Sequence, residues 1–507
     1  MIRITKFNEV YCQLDTDTYT KNKLVRLFRI EEPGYYFNPK YKAGFWDGRR
    51  QLYNGGNYIY TGLVPMVIKW ANKNNIEVQD NSKIIFNPDD NIEYIKEKVK
   101  ELKLPFEPRD YQIESVAKCI AFNKCTVSSP TSSGKSLIIY MIARLVQHMK
   151  TAKSKMVIIV PSRILVKQMY DDFASYSKND DSWNVEDNCV RISGDFIKDF
   201  SKEIIITTYQ SLINVDESFF PKIECLFLDE CHGAQSYSSD KAKRLHIILN
   251  QCTNSRYRFG FTGTFPDEML FRTTLLKYFV NKFEATDYGE LLENNWISNF
   301  SINVIKLHHL VNKNGQQYRD ELNFIYEDKR RNEFLKKLLL KNKKNQLVLF
   351  KEVKQHASKF YQSLIEDPRF KGKHIILLDG DSKVKERDKV KEYIANENDV
   401  ILLATYKLLG TGWSVNNLHN IIFAAPLKSK QTILQSIGRG LRLLSNSEKN
   451  CQIWDIVDKF LYNNTLHTQW KERQRAYESV KFNMKIFDID DNIKNTFRDN
   501  QEEIELF

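Results

Sequence analysis

Three short runs, Val157 to Val160, Ile204 to Thr208 and Leu226 to Leu228, are apolar almost without interruption, and helical patterns separate them. Unbroken apolarity, as opposed to alternation, marks strands covered on both faces of a parallel sheet. The same rhythm restarts further on, at Leu347 to Phe350, Ile375 to Leu378, Val400 to Ala404, Ile421 to Ala424 and Ile453 to Val457. Tandem α/β parallel sheets are therefore predicted. The length, 507 residues, agrees: it exceeds what one core fills, and typical sizes give about three domains.

The remaining segments read differently. Residues 1–104 hold alternating runs (Ile2 to Cys12, Gln51 to Tyr60), an amphipathic helix pattern (Leu63 to Lys73) and a charged one (Glu93 to Leu102). Pro105 and Pro108 then punctuate a boundary. A small α+β N-terminal domain is expected there, followed by α/β units over 105–290 and 291–462. Ser301 to Asn323 reads as polar and irregular, with a linker inside it. Beyond about residue 460 the pattern turns helical and basic (Gln469 to Lys485), which predicts a helical C-terminal extension over 463–507, fraying at its acidic end.

Composition excludes more than it assigns. With 42% hydrophobic and 28% charged residues, and no apolar run of about 18 residues, a membrane span is not expected. Met1 to Lys6 lacks the pattern of a signal peptide. The eight cysteines form no CxxC and no Cys/His cluster, so they read as buried thiols of a reducing compartment, without structural zinc. A net charge of +12 suits a polyanionic partner but does not by itself select one.

The chemistry begins at Ser129-Pro130-Thr131-Ser132-Ser133-Gly134-Lys135-Ser136. It follows the strand-like Cys125 to Ser128 and opens the helix-like Leu137 to Val146, the setting in which backbone N–H groups and a helix N-terminus face phosphates. Lys135 would reach the β- and γ-phosphates of ATP, and Ser136 would bind Mg²⁺. About ninety residues on, Leu226 to Leu228 runs into Asp229-Glu230-Cys231-His232. Carboxylates at the carboxyl end of a buried strand lie where such sheets bind ligands. Asp229 would hold the Mg²⁺ shell, and Glu230 would orient and deprotonate the attacking water. His232 is either a satisfied loop histidine or a link to the γ-phosphate. Gln112, in Arg109-Asp110-Tyr111-Gln112, carries the amide needed to hydrogen-bond adenine, with Tyr111 or Phe106 available to stack on the base. In Gln435-Ser436-Ile437-Gly438-Arg439-Gly440-Leu441-Arg442, the arginines at i and i+3 share a helix face, suited to charge on a transferring phosphoryl group.

Together these runs resemble the superfamily 2 helicases and translocases of the DExH type, in consistent order from about 106 to 460. Pro161 to Leu165 is similar to motif Ia, Thr207-Thr208-Tyr209-Gln210 to the next strand-contact motif, and Thr262-Gly263-Thr264 to motif III. Ala404-Thr405 with Gly410-Thr411-Gly412 resembles motif V, and Gln435 to Arg442 motif VI. The resemblance implies RecA-like lobes with ATP between them and Gly412 among the nucleotide contacts. It also implies backbone-gripping contacts at Ser162, Arg163, Thr207, Thr208, Tyr209, Thr405 and Thr411. Two departures stand out. Ser129 and Ser132 replace Ala or Gly, and Gly412-Trp413-Ser414 lacks the usual aspartate.

Upstream, Gly34 to Tyr41 followed by Gly44-Phe45-Trp46-Asp47-Gly48-Arg49 is similar to the leading domain of the UvsW-type helicases of large tailed phages. Trp46 and Arg49, with Tyr35, Phe37, Lys40, Lys42 and Arg50, make either a stacking-plus-phosphate surface or a small domain's core with solvated cations. The resemblance implies fork regression and junction branch migration on branched DNA in phage recombination, repair and replication. It further implies a host-cytoplasmic location and a single-strand-binding or recombination protein as partner. The residues alone leave open an RNA helicase, a restriction-type translocase, or a non-hydrolysing annealing module.

Overall fold

The computed structural model describes residues 1–84, 91–194, 199–310, 317–378, 382, 384–410, 417–440, 450–462, 464–489, 497–498 and 503–504. The chain divides into two compact units, residues 1–129 with 134–286, and residues 130–133 with 287–507.

The first unit begins with strands β1 (Ile2–Lys6), β2 (Tyr11–Asp15), β3 (Arg29–Glu31), β4 (Arg49–Gln51), β5 (Tyr58–Tyr60) and β6 (Val78–Asn81). Four of them form a mixed sheet in the order β5-β2-β1-β6, while β3 and β4 make an antiparallel ribbon. Alternation sets the buried face: Ile2, Ile4, Cys12 and Leu14 point inward against Leu24, Val64, Val67 and Ala71 of the helices Thr18–Leu27 and Val64–Lys73. Asp17 starts the first helix by accepting the Thr20 N–H at 2.8 Å.

Seven parallel strands follow: β7 (Lys124–Ser128), β8 (Lys155–Val160), β9 (Cys189–Ile192), β10 (Ile204–Thr208), β11 (Ile223–Leu228), β12 (Tyr257–Thr262) and β13 (Asn281–Glu284). Their order is β13-β7-β12-β11-β8-β10-β9, with every pairing parallel. The fully buried positions of β8, β10 and β11 are those of the apolar runs, covered from both sides.

The N-terminal layer shares its packing with this sheet. Leu270, from the helix Met269–Phe279, belongs to the N-terminal core. Gly62 lies so close to that helix that a Cβ would sit 1.8 Å from the Leu276 carbonyl oxygen. Lys277 is caged by Tyr60, Tyr237 and Tyr278, with ring centroids at 4.5, 5.0 and 4.5 Å, and donates to the Tyr237 hydroxyl at 2.8 Å. Burial lowers its pKa to about 7.

The second unit holds β14 (Asn299–His309), β15 (Gln346–Phe350), β16 (His374–Leu377), β17 (Val400–Thr405), β18 (Asn420–Phe423), β19 (Asn450–Phe460) and β20 (Met484–Ile489). The order is β16-β17-β15-β18-β19-β14-β20, again parallel throughout. The tandem of parallel sheets predicted from the apolar runs is therefore present.

Two segments differ from expectation. Ser301 to Asn323 is not irregular throughout: its first part lies in β14, which pairs with β19 along eleven residues, and Tyr318–Glu327 is a helix, while the linker expected inside it falls on residues 311–316, outside the described residues. Ile302, Val304, Ile305 and Leu307 bury, whereas Lys306 and His308 keep partly solvated positions. The polar residues between them hid the strand. Among the described residues the basic tail is helical over Thr465–Ser479, and Met484–Ile489 then adds a strand beside β14.

Charge is buried in this unit but paired. The fully buried Arg331 donates to both Asp458 carboxylate oxygens at 2.8 and 3.0 Å, and to the Ala424 carbonyl at 2.8 Å. His309 lies between Asp458 (2.9 Å) and Asp328 (3.4 Å). Arg473 and the Tyr477 hydroxyl both reach Asp455, at 2.8 and 2.9 Å. Among the described residues no helix is long and apolar enough to cross a membrane, and all eight cysteines are free and buried.

Candidate nucleotide and nucleic-acid site

The phosphate loop leaves the carboxyl end of β7. The Ser129 N–H donates to the Thr262 carbonyl at 2.9 Å, which ties the loop's start to the end of β12. The Ser133 hydroxyl closes the loop on the Pro130 carbonyl at 2.7 Å. Ser132 and Gly134 both take positive φ, 71° and 82°, so the backbone coils as an anion-cradling loop does. Thr131, between Pro130 and Ser132, is partly buried. Glycine is required at 134 on two counts, the left-handed backbone and a Cβ that would lie 2.4 Å from Gln112 Nε2.

The helix Lys135–Met149 starts immediately after the loop. Lys135 Nζ donates to the Ser129 carbonyl at 3.0 Å, and Ser136 Oγ is 2.8 Å from the Tyr176 hydroxyl. Gln112 is buried, and its Oε1 accepts the Arg109 N–H at 2.9 Å, as part of a cap on the helix Asp110–Phe122. Its amide nitrogen faces the loop. Tyr111 is buried and accepts from Arg109 at 3.2 Å, which removes its ring from the groups expected to stack on a base. Phe106 is exposed.

Asp229 and Glu230 stand at the end of β11. The Asp229 N–H extends the sheet to the Ile159 carbonyl at 2.9 Å, and its Oδ1 accepts the Glu230 N–H at 3.0 Å. Burial, and then the neighbouring Glu230 charge, push the Asp229 carboxyl well above its usual range. Glu230 holds φ at 51°, a left-handed conformation uncommon for this residue type. His232 Nδ1 lies 3.2 Å from Glu230 Oε2 and 3.4 Å from Thr262 Oγ1, so one histidine nitrogen links the ends of β11 and β12.

A divalent cation was expected here, and the donor set suits one. Asp229 and Ser136 offer hard oxygen ligands, and adjacent carboxylates disfavour joint ionisation until a cation arrives. Among the described residues no group of three or more His, Cys, Asp or Glu forms a cage. Mg²⁺ needs none, since substrate phosphates and water complete its shell.

In the second unit, Gln435 and Arg439 belong to the helix Lys430–Gly440, which the Tyr288 hydroxyl anchors by donating to the Leu434 carbonyl at 3.2 Å. The side chains of Gln435 and Arg439 lie outside the described residues, as do Arg442, Thr411 and Gly412.

The expected strand contacts divide. Ser162 caps the helix Arg163–Tyr176 by accepting the Leu165 N–H at 3.4 Å, and Arg163 is exposed at its first position. Thr208 and Tyr209 stand where β10 meets the short helix Tyr209–Leu212, with Thr208 Oγ1 at 3.2 Å from Ser211 Oγ. Thr405 ends β17 and is buried. Thr207 is a correction. It is fully buried and its hydroxyl donates to the Ile192 carbonyl at 2.9 Å, so that hydroxyl holds the sheet and cannot grip a phosphate.

In the N-terminal layer, Trp46 Nε1 donates to the Arg49 carbonyl at 2.8 Å, and the Arg50 guanidinium lies 4.8 Å over the Trp46 ring. Trp46 is thus a packed platform, whereas Tyr36, Phe37, Tyr41, Phe45 and Arg49 are exposed. Phe45 is the most open, at 86%. The surface of the N-terminal layer is therefore aromatic and basic: of the residues named from the sequence, Phe37 and Arg49 are exposed on it, while Trp46 is half-buried.

Residues 105–267 match the family model for the type III restriction enzyme res subunit, and residues 330–443 match that for the helicase conserved C-terminal domain. Residues 1–80 match the N-terminal model of the DNA helicase UvsW. The chain thus carries the domains of a superfamily 2 helicase. The ATP-dependent DNA helicase uvsW of Enterobacteria phage T4 is 27% identical over 505 residues, which cover 93% of this chain and 96% of the relative. The crystal structure of T4 UvsW is similar with a TM-score of 0.50 at 24% identity, over 96% of this chain and 99% of that one. The S. cerevisiae Dbp5 structure bound to RNA and ADP BeF3 gives a TM-score of 0.53 at 14% identity, over 77% and 93%. Both structures show shared fold. This helicase is accordingly an ATP-dependent enzyme with a nucleic-acid substrate.

Two neighbours of the helicase's site escaped the sequence. Tyr176 reaches Ser136 from forty residues away. Burial lowers Lys241 below the lysine range, against the opposing pull of the Glu230 and Asp229 charges. Neither sits in a motif, and only the fold brings them in.

Proposed function

We propose that this helicase uses Mg²⁺ and ATP to move on branched DNA, regressing forks and migrating junctions in phage recombination, repair and replication. Correspondence along nearly the whole chain with the T4 DNA helicase, together with the match of residues 1–80 to the UvsW N-terminal model, is the observation that carries this reading. In it, residues 1–104 select the substrate, 105–290 and 291–462 form the motor lobes, and 463–507 extend the second.

Lys135 neutralises the β- and γ-phosphates, cradled by the loop from Pro130 to Gly134, while Gln112 with Arg109 reads the adenine. Ser136 and Asp229 hold Mg²⁺, which supplies charge neutralisation on the phosphates when bound. Glu230 takes the proton of the attacking water and His232 relays the state of the site to Thr262. Gln435, Arg439 and Arg442 act on the transferring phosphoryl group, and Gly412 contacts the nucleotide. Ser162, Arg163, Thr208, Tyr209, Thr405 and Thr411 grip backbone phosphates without reading bases. In the N-terminal layer, Arg49 and the exposed rings around the Trp46 platform meet unpaired bases at the branch.

The test compares unwinding of linear duplex, forked and four-way DNA by the wild type and by Phe37→Ala/Phe45→Ala, both exposed positions. Selective loss on forks and junctions supports the assignment. An equal effect on all three substrates contradicts it.

A further inference from the structure

Within the first unit, a cavity of about 380 Å³ lies between the N-terminal layer and the seven-stranded sheet. Its size falls in the range of roughly 300–1,000 Å³ typical of ligand pockets. Lys6, Glu9, Lys83, Phe122, Lys124 and Arg256 are among the residues that line it. Lys124 opens β7 and Arg256 immediately precedes β12, so the cavity is at the amino ends of these parallel strands. The phosphate loop leaves the carboxyl end of the same β7, which separates the cavity from the nucleotide site.

Its single lining acid is already committed. Glu9 takes Lys6 on one oxygen and Lys124 on the other, each at 2.6 Å, and its backbone carbonyl accepts from Lys124 at 2.9 Å. Lys83 and Arg256 form no ion pair among the described residues, and both are exposed. The lining is therefore positive overall, and its unpaired cations come one from each layer. Phe122 adds a ring, itself stacked on Phe283 at 6.3 Å. A positive, partly walled cleft attracts polyanions more strongly than a flat basic surface does.

We propose that this cavity binds the backbone phosphates of a second nucleic-acid segment, so that a branched substrate is held at both ends of the first sheet. The inference rests on the helicase reading and names a contact that none of the helicase motifs contains. An extended phosphodiester suits the arrangement because Lys83 comes from the N-terminal layer, Arg256 from the start of β12, and the Phe122 ring shares the lining with them.

The test measures binding by the full chain to a labelled fork and to a short single strand across a salt series. Each phosphate neutralised on duplex DNA contributes about 0.9 to the slope of log K against log salt. Lys83→Gln combined with Arg256→Gln is expected to flatten the fork slope by about 1.8 and to leave the short-strand slope and the thermal midpoint unchanged. Arg256→Lys, which keeps the charge, should retain the wild-type slope. An unchanged fork slope would overturn the proposal, as would equal flattening on both DNAs. So would competition by tripolyphosphate that these glutamines abolish while the fork slope stays intact, since the ligand would then be a small polyphosphate. If Gln variants melt early, Arg256→Lys with an altered slope counts against the site. ATP-driven unwinding by the wild type tests the helicase reading separately, so either can fail alone.

Discussion

Glu230 sits in a left-handed backbone conformation, beside an aspartate whose carboxyl is already pushed upward by burial and by that same glutamate. A non-glycine residue held there costs on the order of 1–3 kcal/mol, and active sites are where such strain persists. Glu230→Gly should therefore raise thermal stability by about 1 kcal/mol while ending ATP hydrolysis, a gain readable in denaturant titrations. A destabilised glycine variant would show that the His232 contact outweighs the strain. For the arginine assigned to the phosphoryl group, Arg442→Ala should lower ATP turnover by roughly 10³-fold or more with single-strand affinity retained; collapse of that affinity would remove it from this role. The positions of Asp229 and Glu230 at the end of β11, and of Lys135 at the start of its helix, were legible because apolar runs mark the elements on which they stand. Thr207 was misread because a hydroxyl's direction depends on which strand lies beside it, and Ile192 is its neighbour here. Tyr111 was misjudged because its ring is buried and its hydroxyl accepts from Arg109.

At the scale of elements, the contact between the N-terminal layer and the helix Met269–Phe279 depends on one missing methyl. Gly62→Ala puts a Cβ onto the Leu276 carbonyl oxygen, a rigid backbone atom. Overpacking of this kind costs about 1–3 kcal/mol, so denaturation should show the first unit weakened by that amount; an unchanged midpoint would mean the layers separate freely. In the second unit, burial alone would lower the His309 pKa, but its hydrogen bonds to Asp328 and Asp458 leave it raised. A raised folded pKa adds stability fully present below the unfolded value and lost as pH climbs through the folded one. The stability gap between wild type and His309→Gln should therefore shrink from acid to alkaline pH, and a gap that widens would contradict the pairing. Strands buried on both faces announced themselves by continuous apolarity. β14 did not, because Asn303, Lys306 and His308 interrupt it; its place between β19 and β20, not its composition, makes it a strand. The charged helix read over Glu93 to Leu102 lies at Ile92–Glu101, within one residue at each end, and Asn91 caps it.

For the molecule as a whole, two parallel sheets repeat one plan, and each carries a share of the expected ATP-site motifs at its strand ends. The paired sheets were visible in the sequence because a parallel strand's periodicity is local. The joining of the N-terminal layer to the first sheet was not, because the Lys277 cage and the Gly62 approach are contacts between distant segments. The claim on which everything else depends is that Glu230, at the end of β11, drives hydrolysis of ATP bound at the loop of Lys135. DNA-stimulated phosphate release, measured with ATP affinity on the wild type and on Glu230→Gln, tests it most directly. The glutamine variant should bind ATP normally and turn it over at least about 100-fold more slowly, with DNA failing to restore the rate. Hydrolysis by Glu230→Gln at the wild-type rate would contradict the account.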